Sequence, residues 1–260
     1  MMRRRFLNNI RGNDYHAEYF TIEALEDGLT VSLSQNICEY CIDNEEWITL
    51  SADTNTPLVN KGQTLSFKGN LIPNSSHGIG TFTISKRCNL KGNIILMLYG
   101  DNFKGQTELR GYDYAFYKLF YNCKNIVDAS KLILPATTLA NYCYNSMFQS
   151  CTSLTTAPEL PATTLASYCY NRMFYGCTSL TTAPELPATI LTNYCYSQMF
   201  RDCTNLNYIK MLATDISANN CLTAWVTGVS SSGKFVKNAA MTSLPRGVNG
   251  IPTGWTVVNN

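Results

Sequence analysis

Histidine is scarce in this sequence, and the residue patterns that accompany common catalytic centres are missing. The chain contains two histidines, His16 and His77, both in polar or glycine-rich surroundings and away from any serine or cysteine nucleophile pattern. Triad chemistry and a histidine-built metal centre therefore lack their components. No glycine-rich phosphate loop, HExxH or GxSxG occurs either. We expect a protein that is not an enzyme, with no catalytic residues, no metal site and no cofactor.

Charge is sparse and nearly balanced. Lys and Arg total 20 against 18 for Asp and Glu, so the net charge of +2 does not favour nucleic acid as a partner. No segment approaches the roughly 18 apolar residues of a membrane span, and the pair Phe6-Leu7 is much shorter than the apolar part of a secretion signal. We expect a soluble protein that begins with a flexible basic arm, residues 1–13, for which a docking role is the alternative.

The most informative feature is an internal repeat with a period of 26 residues. Clear copies begin at Leu134, Leu160 and Leu186, and weaker copies lie at 114–126 and 219–229. Two columns of cysteine mark the repeat: Cys143, Cys169, Cys195 and Cys221 in one, and Cys123, Cys151, Cys177 and Cys203 in the other. A single unit of this length cannot bury its own apolar face, so the copies are expected to stack as a solenoid.

Each unit divides into two halves with different periodicity. In the first half, Cys143, Met147, Phe148 and Cys151 follow the spacing of one face of a short helix, which we predict to face the core. The second half, SLTTAPEL, is rich in Thr and contains Pro158, which predicts a short extended segment. We therefore expect a helix followed by a strand in every unit.

These residues resemble a known family. The frame LPxxLxxxCYxxMFxxCxxL is similar to the treponemal-type leucine-rich repeat of BspA-like surface proteins, approximately LPxxLxxIGxxAFxxCxxL, although this chain has Tyr144 where that pattern has Gly. The resemblance covers about residues 101–230. It implies a leucine-rich-repeat solenoid and a role in adhesion or recognition. The sequence motifs LPATTLA and CTSLTTAPELP further resemble repeats in proteins of gut Bacteroidetes and of their phages.

The region before the repeats has a different pattern. Short alternating runs between 15 and 100, such as YFTIEAL, QTLSFKG and NIILMLYG, predict six or seven strands of a β-sandwich anchored by Trp47. After residue 228, strands are predicted at 234–237 and 255–258, with Trp255 covering the last copy. The predicted fold is thus α+β: an N-terminal β-sandwich domain (14–100), a leucine-rich-repeat solenoid (101–228) and a C-terminal cap (229–260).

The eleven cysteines invite a chemical interpretation. Eight of them lie in the two repeat columns, where a small apolar side chain suits packing, so we predict buried thiols. Cys38 and Cys41 have the spacing of half a zinc site, but no second such pair completes four ligands. Glu159 and Glu185 should stack about one strand spacing apart, and we interpret them as a solvated ladder in preference to a glycosidase carboxylate pair.

Two tyrosine columns are the candidate ligand-binding surface. Tyrosine is rigid, largely apolar and able to form hydrogen bonds at its tip, and at least one column is expected to be partly exposed. The alternative is that the rings cover seams between units. The candidate residues are Tyr142, Tyr144, Tyr168, Tyr170, Tyr194 and Tyr196.

Together these features predict a non-enzymatic recognition or adhesion protein. The favoured interpretation is a virion-associated fibre or decoration protein of a phage, with other virion proteins bound through the N-terminal region. Its repeats would bind a protein or polysaccharide of the host-cell surface, and homo-oligomers are compatible with this role. The alternatives are a bacterial cell-surface leucine-rich-repeat adhesin and an intracellular protein-interaction scaffold, since function cannot be inferred from fold analogy alone.

Overall fold

The structure is a computed structural model that describes residues 19–260, so the basic arm, His16 and the first residues of the predicted β-sandwich domain lie outside the described residues. Strands dominate its regular structure, and their burial alternates where one face meets the core. The strands are β1 (Phe20–Ala24), β2 (Val31–Leu33), β3 (Cys38–Ile42), β4 (Ile48–Leu50), β5 (Thr64–Lys68), β6 (Phe82–Ile84), β7 (Cys88–Asn93), β8 (Ile126–Ile133), β9 (Tyr208–Met211), β10 (Lys234–Lys237) and β11 (Thr256–Asn259).

The N-terminal part is built on a six-stranded sheet in the order β4-β3-β5-β1-β7-β8. Its pairs are antiparallel except β7 with β8, which are parallel. A two-stranded sheet of β2 and β6 contacts the larger sheet through Phe82, whose ring lies 5.6 Å from that of Phe20. Phe20 also meets Phe120 of the first weak copy at 5.9 Å. One hydrophobic core therefore continues from the sheets into the repeats.

Strand β8 joins the two parts of the chain. It belongs to the predicted repeat segment, 101–228, yet it pairs in parallel with β7 of the predicted sandwich segment, for example Gly92 with Leu132. The six-stranded sheet thus crosses the boundary expected at residue 100. Trp47 is not the anchor of this core: it is half-buried at the periphery, where its ring contacts Tyr19 edge-on at 5.2 Å and Lys68 Nζ lies 4.6 Å above it.

The run NIILMLYG was predicted as a strand but is mostly helical. β7 ends at Asn93, whose side-chain oxygen accepts a hydrogen bond from the Ile95 N–H at 3.1 Å. Helix α1 (Leu96–Tyr99) and a 3-10 turn (Gly100–Asn102) follow. Because the residues from 94 to 98 are all buried, an apolar run of this length does not distinguish a strand from a helical segment.

The predicted α+β fold with a leucine-rich-repeat solenoid is wrong. Within residues 19–260, α1 and the 3-10 turn are the helical segments, and the stretch expected to form a helix in each unit is a series of turns. Every fourth residue has positive φ, as in Tyr142 (56°), Ser146 (55°) and Ser150 (62°), whereas an α-helix requires φ near −63° throughout. The extended half of each unit forms mainly isolated bridges, such as Thr138 with Thr164, instead of a regular strand.

Backbone hydrogen bonds alternate along each turn series. The Met147 N–H closes a turn on Tyr144 O at 3.2 Å, and the next N–H, that of Phe148, donates to Met173 O in the following copy at 2.9 Å. The same alternation recurs in the later copies, where Phe174 donates to Met199 O at 3.0 Å. Apolar positions four residues apart fit this series as well as a helix, which explains the wrong prediction.

The core positions expected from the repeat are buried, although no helix presents them. Cys143, Met147, Phe148 and Cys151 are each 0 % exposed. Phenylalanines from successive copies stack with centroids 5.3 to 5.8 Å apart: Phe120, Phe148, Phe174 and Phe200. Beside this column, Cys151 Sγ donates to Phe120 O at 3.1 Å, and the same bond recurs in later copies. Each thiol thus serves both packing and hydrogen bonding between copies.

The C-terminal strands lie close to their predicted positions. β10 pairs in parallel with β9 on one side and β11 on the other. Trp255 is 2 % exposed and its indole N–H donates to Ser230 O at 2.7 Å, while the Trp225 indole N–H donates to Gly250 O at 2.8 Å. Among residues 19–260, no helix has the length and apolar character needed to cross a membrane.

Replacing Phe174 with Ala should destabilise the protein by about 3 to 5 kcal/mol, because the change removes one ring from a fully buried column and leaves a cavity between Phe148 and Phe200. Urea unfolding followed by circular dichroism measures the difference. Thr181→Ala, at an exposed position of the same copy, is the control and should change the free energy of unfolding by less than about 0.5 kcal/mol. Equal stability of the two variants would contradict this packing.

Alkaline pH should destabilise the fold through the buried thiols. Burial raises the pKa of Cys38, Cys123, Cys195 and Cys203 to about 12. Unfolded thiols ionise near pH 8.5, so the unfolded state binds fewer protons than the folded state above that pH. The free energy of unfolding should be fully retained below about pH 8.5 and fall as the pH rises towards about 12, by up to ~1.4 kcal/mol per pH unit for each thiol.

Urea unfolding in reducing buffer at about pH 7 and about pH 10 measures this decrease. The variant Cys203→Ala removes one of the thiols and should show a smaller decrease between the two pH values than the wild type. An unchanged decrease in that variant, or no decrease in the wild type, would contradict the assignment.

Candidate functional site

The structure separates the two tyrosine columns that the sequence placed together. Tyr144, Tyr170 and Tyr196 are 1 %, 2 % and 0 % exposed, so they do not belong to a binding surface. They stack between Phe116 and Trp225 in a second buried aromatic column. Each turn directs two consecutive side chains into the core, so the tyrosine after each inward cysteine is buried as well.

The other column lies at the surface. Tyr142, Tyr168 and Tyr194 are half-buried, and they form a ladder with Tyr114 of the first weak copy. The ring centroids are 4.6, 4.5 and 4.5 Å apart, with interplanar angles of 3°, 8° and 5°. Tyr114 was not among the predicted residues, although its distance from Tyr142 equals that between Cys123 and Cys151 and could have identified it.

The local backbone explains how the ladder forms. Tyr114, Tyr142, Tyr168 and Tyr194 all have positive φ, between 56° and 62°. This conformation costs an L-residue roughly 1 to 2 kcal/mol, and it recurs because each residue occupies the same position in its turn series. Stacked aromatic pairs contribute roughly 0.5 to 1.5 kcal/mol each, which partly offsets the cost.

The ladder presents hydroxyl groups and ring edges to solvent, because the inner ring faces cover one another. At its far end, the Tyr194 hydroxyl accepts a hydrogen bond from Asn220 Nδ2 at 2.7 Å. Loss of hydration raises the pKa of both Tyr142 and Tyr168; Tyr114 and Tyr168 raise the pKa of Tyr142 further, and Tyr194 does the same for Tyr168. Tyr142 and Tyr168 therefore stay uncharged at neutral pH and retain their donors and acceptors.

A groove runs beside the ladder and has a volume of about 610 Å³. We call it the tyrosine groove. It is lined by Ser75, Tyr114, Tyr117, Lys118, Tyr121, Tyr142, Asn145, Ser146, Gln149, Tyr168, Asn171, Arg172, Tyr194, Ser197, Gln198 and Thr223. This lining contains tyrosines, amides, hydroxyls and two cations but no carboxylate. It is suited to a polar ligand that forms many hydrogen bonds.

A row of buried polar groups fixes part of the groove lining. Asn145 Nδ2 donates to Asn171 Oδ1 at 3.3 Å, and Asn171 Nδ2 donates to Ser197 O at 3.0 Å. The Ser146 hydroxyl donates to Asn145 Oδ1 at 2.9 Å. Asn145, Asn171, Ser146 and Ser197 are at most 8 % exposed, so these bonds hold the lining in one arrangement before any ligand arrives.

The remaining candidate groups are arranged differently. Glu185 forms an ion pair with Lys210 at 3.0 Å, so Glu159 and Glu185 are not an isolated pair of carboxylates. They lie at a proline-rich groove of about 420 Å³. Cys38 and Cys41 are buried free thiols of β3, and residues 19–260 contain no cluster of three His, Cys, Asp or Glu side chains that could hold a metal ion.

Replacing Tyr144 with Phe should leave the protein at least as stable, and up to about 1 kcal/mol more stable, because the buried Tyr144 hydroxyl has no hydrogen-bond partner within the described residues. Phe116 already occupies this column in the first weak copy, so the ring is accommodated without the oxygen. Thermal or urea unfolding tests the change, with the half-buried Tyr142→Phe as the control. A loss of more than about 1 kcal/mol in Tyr144→Phe would show that the hydroxyl is bonded.

The geometry of the tyrosine groove is the basis for proposing a function, because comparisons with known proteins found no match. The chain matches no protein-family model, no curated protein and no solved structure.

Proposed function

We propose that the protein is a non-enzymatic recognition and adhesion protein that binds a polymer of the host-cell surface along the tyrosine groove. The observation that carries this proposal is the half-buried surface ladder of Tyr114, Tyr142, Tyr168 and Tyr194. A ligand that meets this ladder encounters the same aromatic edge and hydroxyl in each of four successive copies. A regularly repeating, linear ligand matches such a surface better than a compact small molecule does.

The chemistry of the groove favours a polysaccharide. Tyrosine hydroxyls and the side chains of Gln149, Gln198 and Thr223 can exchange hydrogen bonds with sugar hydroxyls at several points. The Asn145 and Asn171 amides are already bonded to their neighbours, which limits the entropy lost when a ligand binds. Each contact is individually weak, and display of the protein in several copies would strengthen attachment through avidity.

The proposed location is the virion of a phage that infects gut Bacteroidetes. This placement is supported by the amino-acid sequence of the repeats, which resembles repeat sequences of Bacteroidetes and phage proteins. In this arrangement the N-terminal region binds other virion proteins, and the groove faces outward. A ligand on the host surface then determines which cells the particle meets.

Removing the ladder tyrosines should weaken binding to host cells. In the variant Tyr142→Ser/Tyr168→Ser/Tyr194→Ser, three hydroxyl and ring-edge contacts are lost, each contributing roughly 0.5 to 1.5 kcal/mol, so the affinity should fall at least ~tenfold. Flow cytometry of host cells with fluorescently labelled protein measures binding. The control Tyr208→Ser alters a half-buried tyrosine of β9 outside the groove lining and should bind as the wild type does. Wild-type binding by a folded triple variant would refute the proposed binding surface.

Immunogold electron microscopy tests the location. An antibody against residues 101–228 should label virions from an infected culture at fixed positions and leave uninfected cells unlabelled. Label on uninfected cell surfaces, or its absence from virions, would contradict the virion placement while leaving the binding surface open to the cytometry experiment.

A further inference from the structure

We infer that the polymer bound in the tyrosine groove is an acidic linear polysaccharide, whose anionic groups meet Lys118 and Arg172. This inference rests on the proposed function and specifies the ligand of the same site. It follows from the charges of the lining, from the spacing of the two cations along the stack and from the covered faces of the ladder rings.

The groove differs in charge from the protein as a whole. Across the sequence, 18 acidic residues nearly balance 20 basic ones, yet the groove lining contains Lys118 and Arg172 and neither Asp nor Glu. Within residues 19–260, neither cation takes part in an ion pair, whereas other basic residues such as Lys68 and Lys210 do. Both cations are therefore available to an anionic ligand, which would not meet a carboxylate in the lining.

The two cations occupy the same position in different copies. Lys118, Ser146, Arg172 and Gln198 each lie four residues after a ladder tyrosine, with φ of 56°, 55°, 54° and 55°. Lys118 and Arg172 are thus two copies apart, which corresponds to roughly 9 to 10 Å at two strand spacings. One copy is about as thick as one sugar ring is long. A chain with an acidic group on every second sugar could therefore present one anion to each cation.

Lys118 is held near the ladder by aromatic rings. Its Nζ lies 5.0 Å from the centre of the Tyr117 ring and 5.5 Å from that of Tyr121. Tyr117 in turn contacts Tyr114 edge-on at 5.7 Å. Cation–π contacts of this kind keep an ammonium group beside the rings without neutralising it. Lys118 is therefore positioned at the start of the ladder and remains able to pair with an anion.

A single-stranded nucleic acid is also an anionic linear polymer, but the groove suits it poorly. Proteins that bind single strands stack the bases on open aromatic faces. Here the inner faces of the ladder rings are covered by neighbouring tyrosines at 4.5 to 4.6 Å. The hydroxyls and amides of the lining match the many hydroxyls of a sugar chain instead.

The test compares two double variants that lose the same amount of charge. Lys118→Gln/Arg172→Gln removes both groove cations, and Arg110→Gln/Lys124→Gln removes two exposed cations outside the groove lining. Biolayer interferometry measures binding to immobilised hyaluronan, polygalacturonate, dextran sulfate, neutral dextran and oligo(dT), at low and at high salt. Hyaluronan carries a carboxylate on every second sugar, and dextran sulfate distinguishes sulfate from carboxylate as the anionic group.

The wild type should bind at least one acidic polysaccharide more tightly than neutral dextran, and high salt should weaken that binding. The groove variant should lose ~tenfold or more in affinity, as expected when charge-assisted hydrogen bonds are removed, while the control variant stays within about twofold of the wild type. If both double variants lost the same affinity, the loss would reflect the net charge of the protein and not the groove cations, and the inference would be overturned. Tighter binding of oligo(dT) than of every polysaccharide would also overturn it.

The same experiment separates this inference from the proposed function. Suppose that the wild type binds host cells or neutral dextran and that the triple tyrosine variant does not. If Lys118→Gln/Arg172→Gln then binds as the wild type does, the inference of an acidic ligand is wrong and the proposed binding surface stands. If the wild type binds neither cells nor any polysaccharide, both proposals fail.

Discussion

The backbone hydrogen bonds between successive copies are the interaction on which the repeat region depends. In each turn series, alternate N–H groups close local turns, and those between them, such as that of Phe148, donate to the next copy. Neither set alone would satisfy the buried backbone, because unpaired N–H and C=O groups are costly in a core. A single unit cannot form the second set, so its conformation requires neighbours. The first weak copy obtains further support from β8, which pairs with β7 of the adjoining sheet.

This hydrogen bonding determines which side chains meet. Because equivalent residues of successive copies lie side by side, identical rings stack directly, as in the columns containing Phe148 and Tyr144. Cys143 and Tyr144 both point into the core, whereas Tyr142, which precedes them and has positive φ, lies at the surface. The surface ladder that includes Tyr142 is therefore a consequence of the same geometry that builds the core. A regular binding surface requires no additional element.

The covered faces of the ladder rings change the chemistry of the site. Exposed tyrosine rows suggest apolar platforms, but stacking at about 4.5 Å leaves edges and hydroxyls for a ligand. Together with the amides and the two cations of the tyrosine groove, these groups favour a long polar ligand over an apolar one. Binding would then depend on many modest hydrogen bonds and on charge, and a preformed lining reduces the entropy that association loses.

The repeat period, the buried columns and the C-terminal strands could be predicted from the sequence, because they depend on apolar residues whose spacing is visible in it. Cys143, Met147 and Phe148 are buried as expected. The conformation of the unit could not be predicted, since apolar positions four residues apart suit both a helix and a series of turns. The deciding bonds, such as that from Phe148 to Met173, join residues in different copies. Only the tertiary structure therefore decided that Tyr144 is buried while Tyr142 lies half-buried at the surface. It also decided that β8 pairs with β7 of the N-terminal sheet, because that pairing joins segments distant in the sequence.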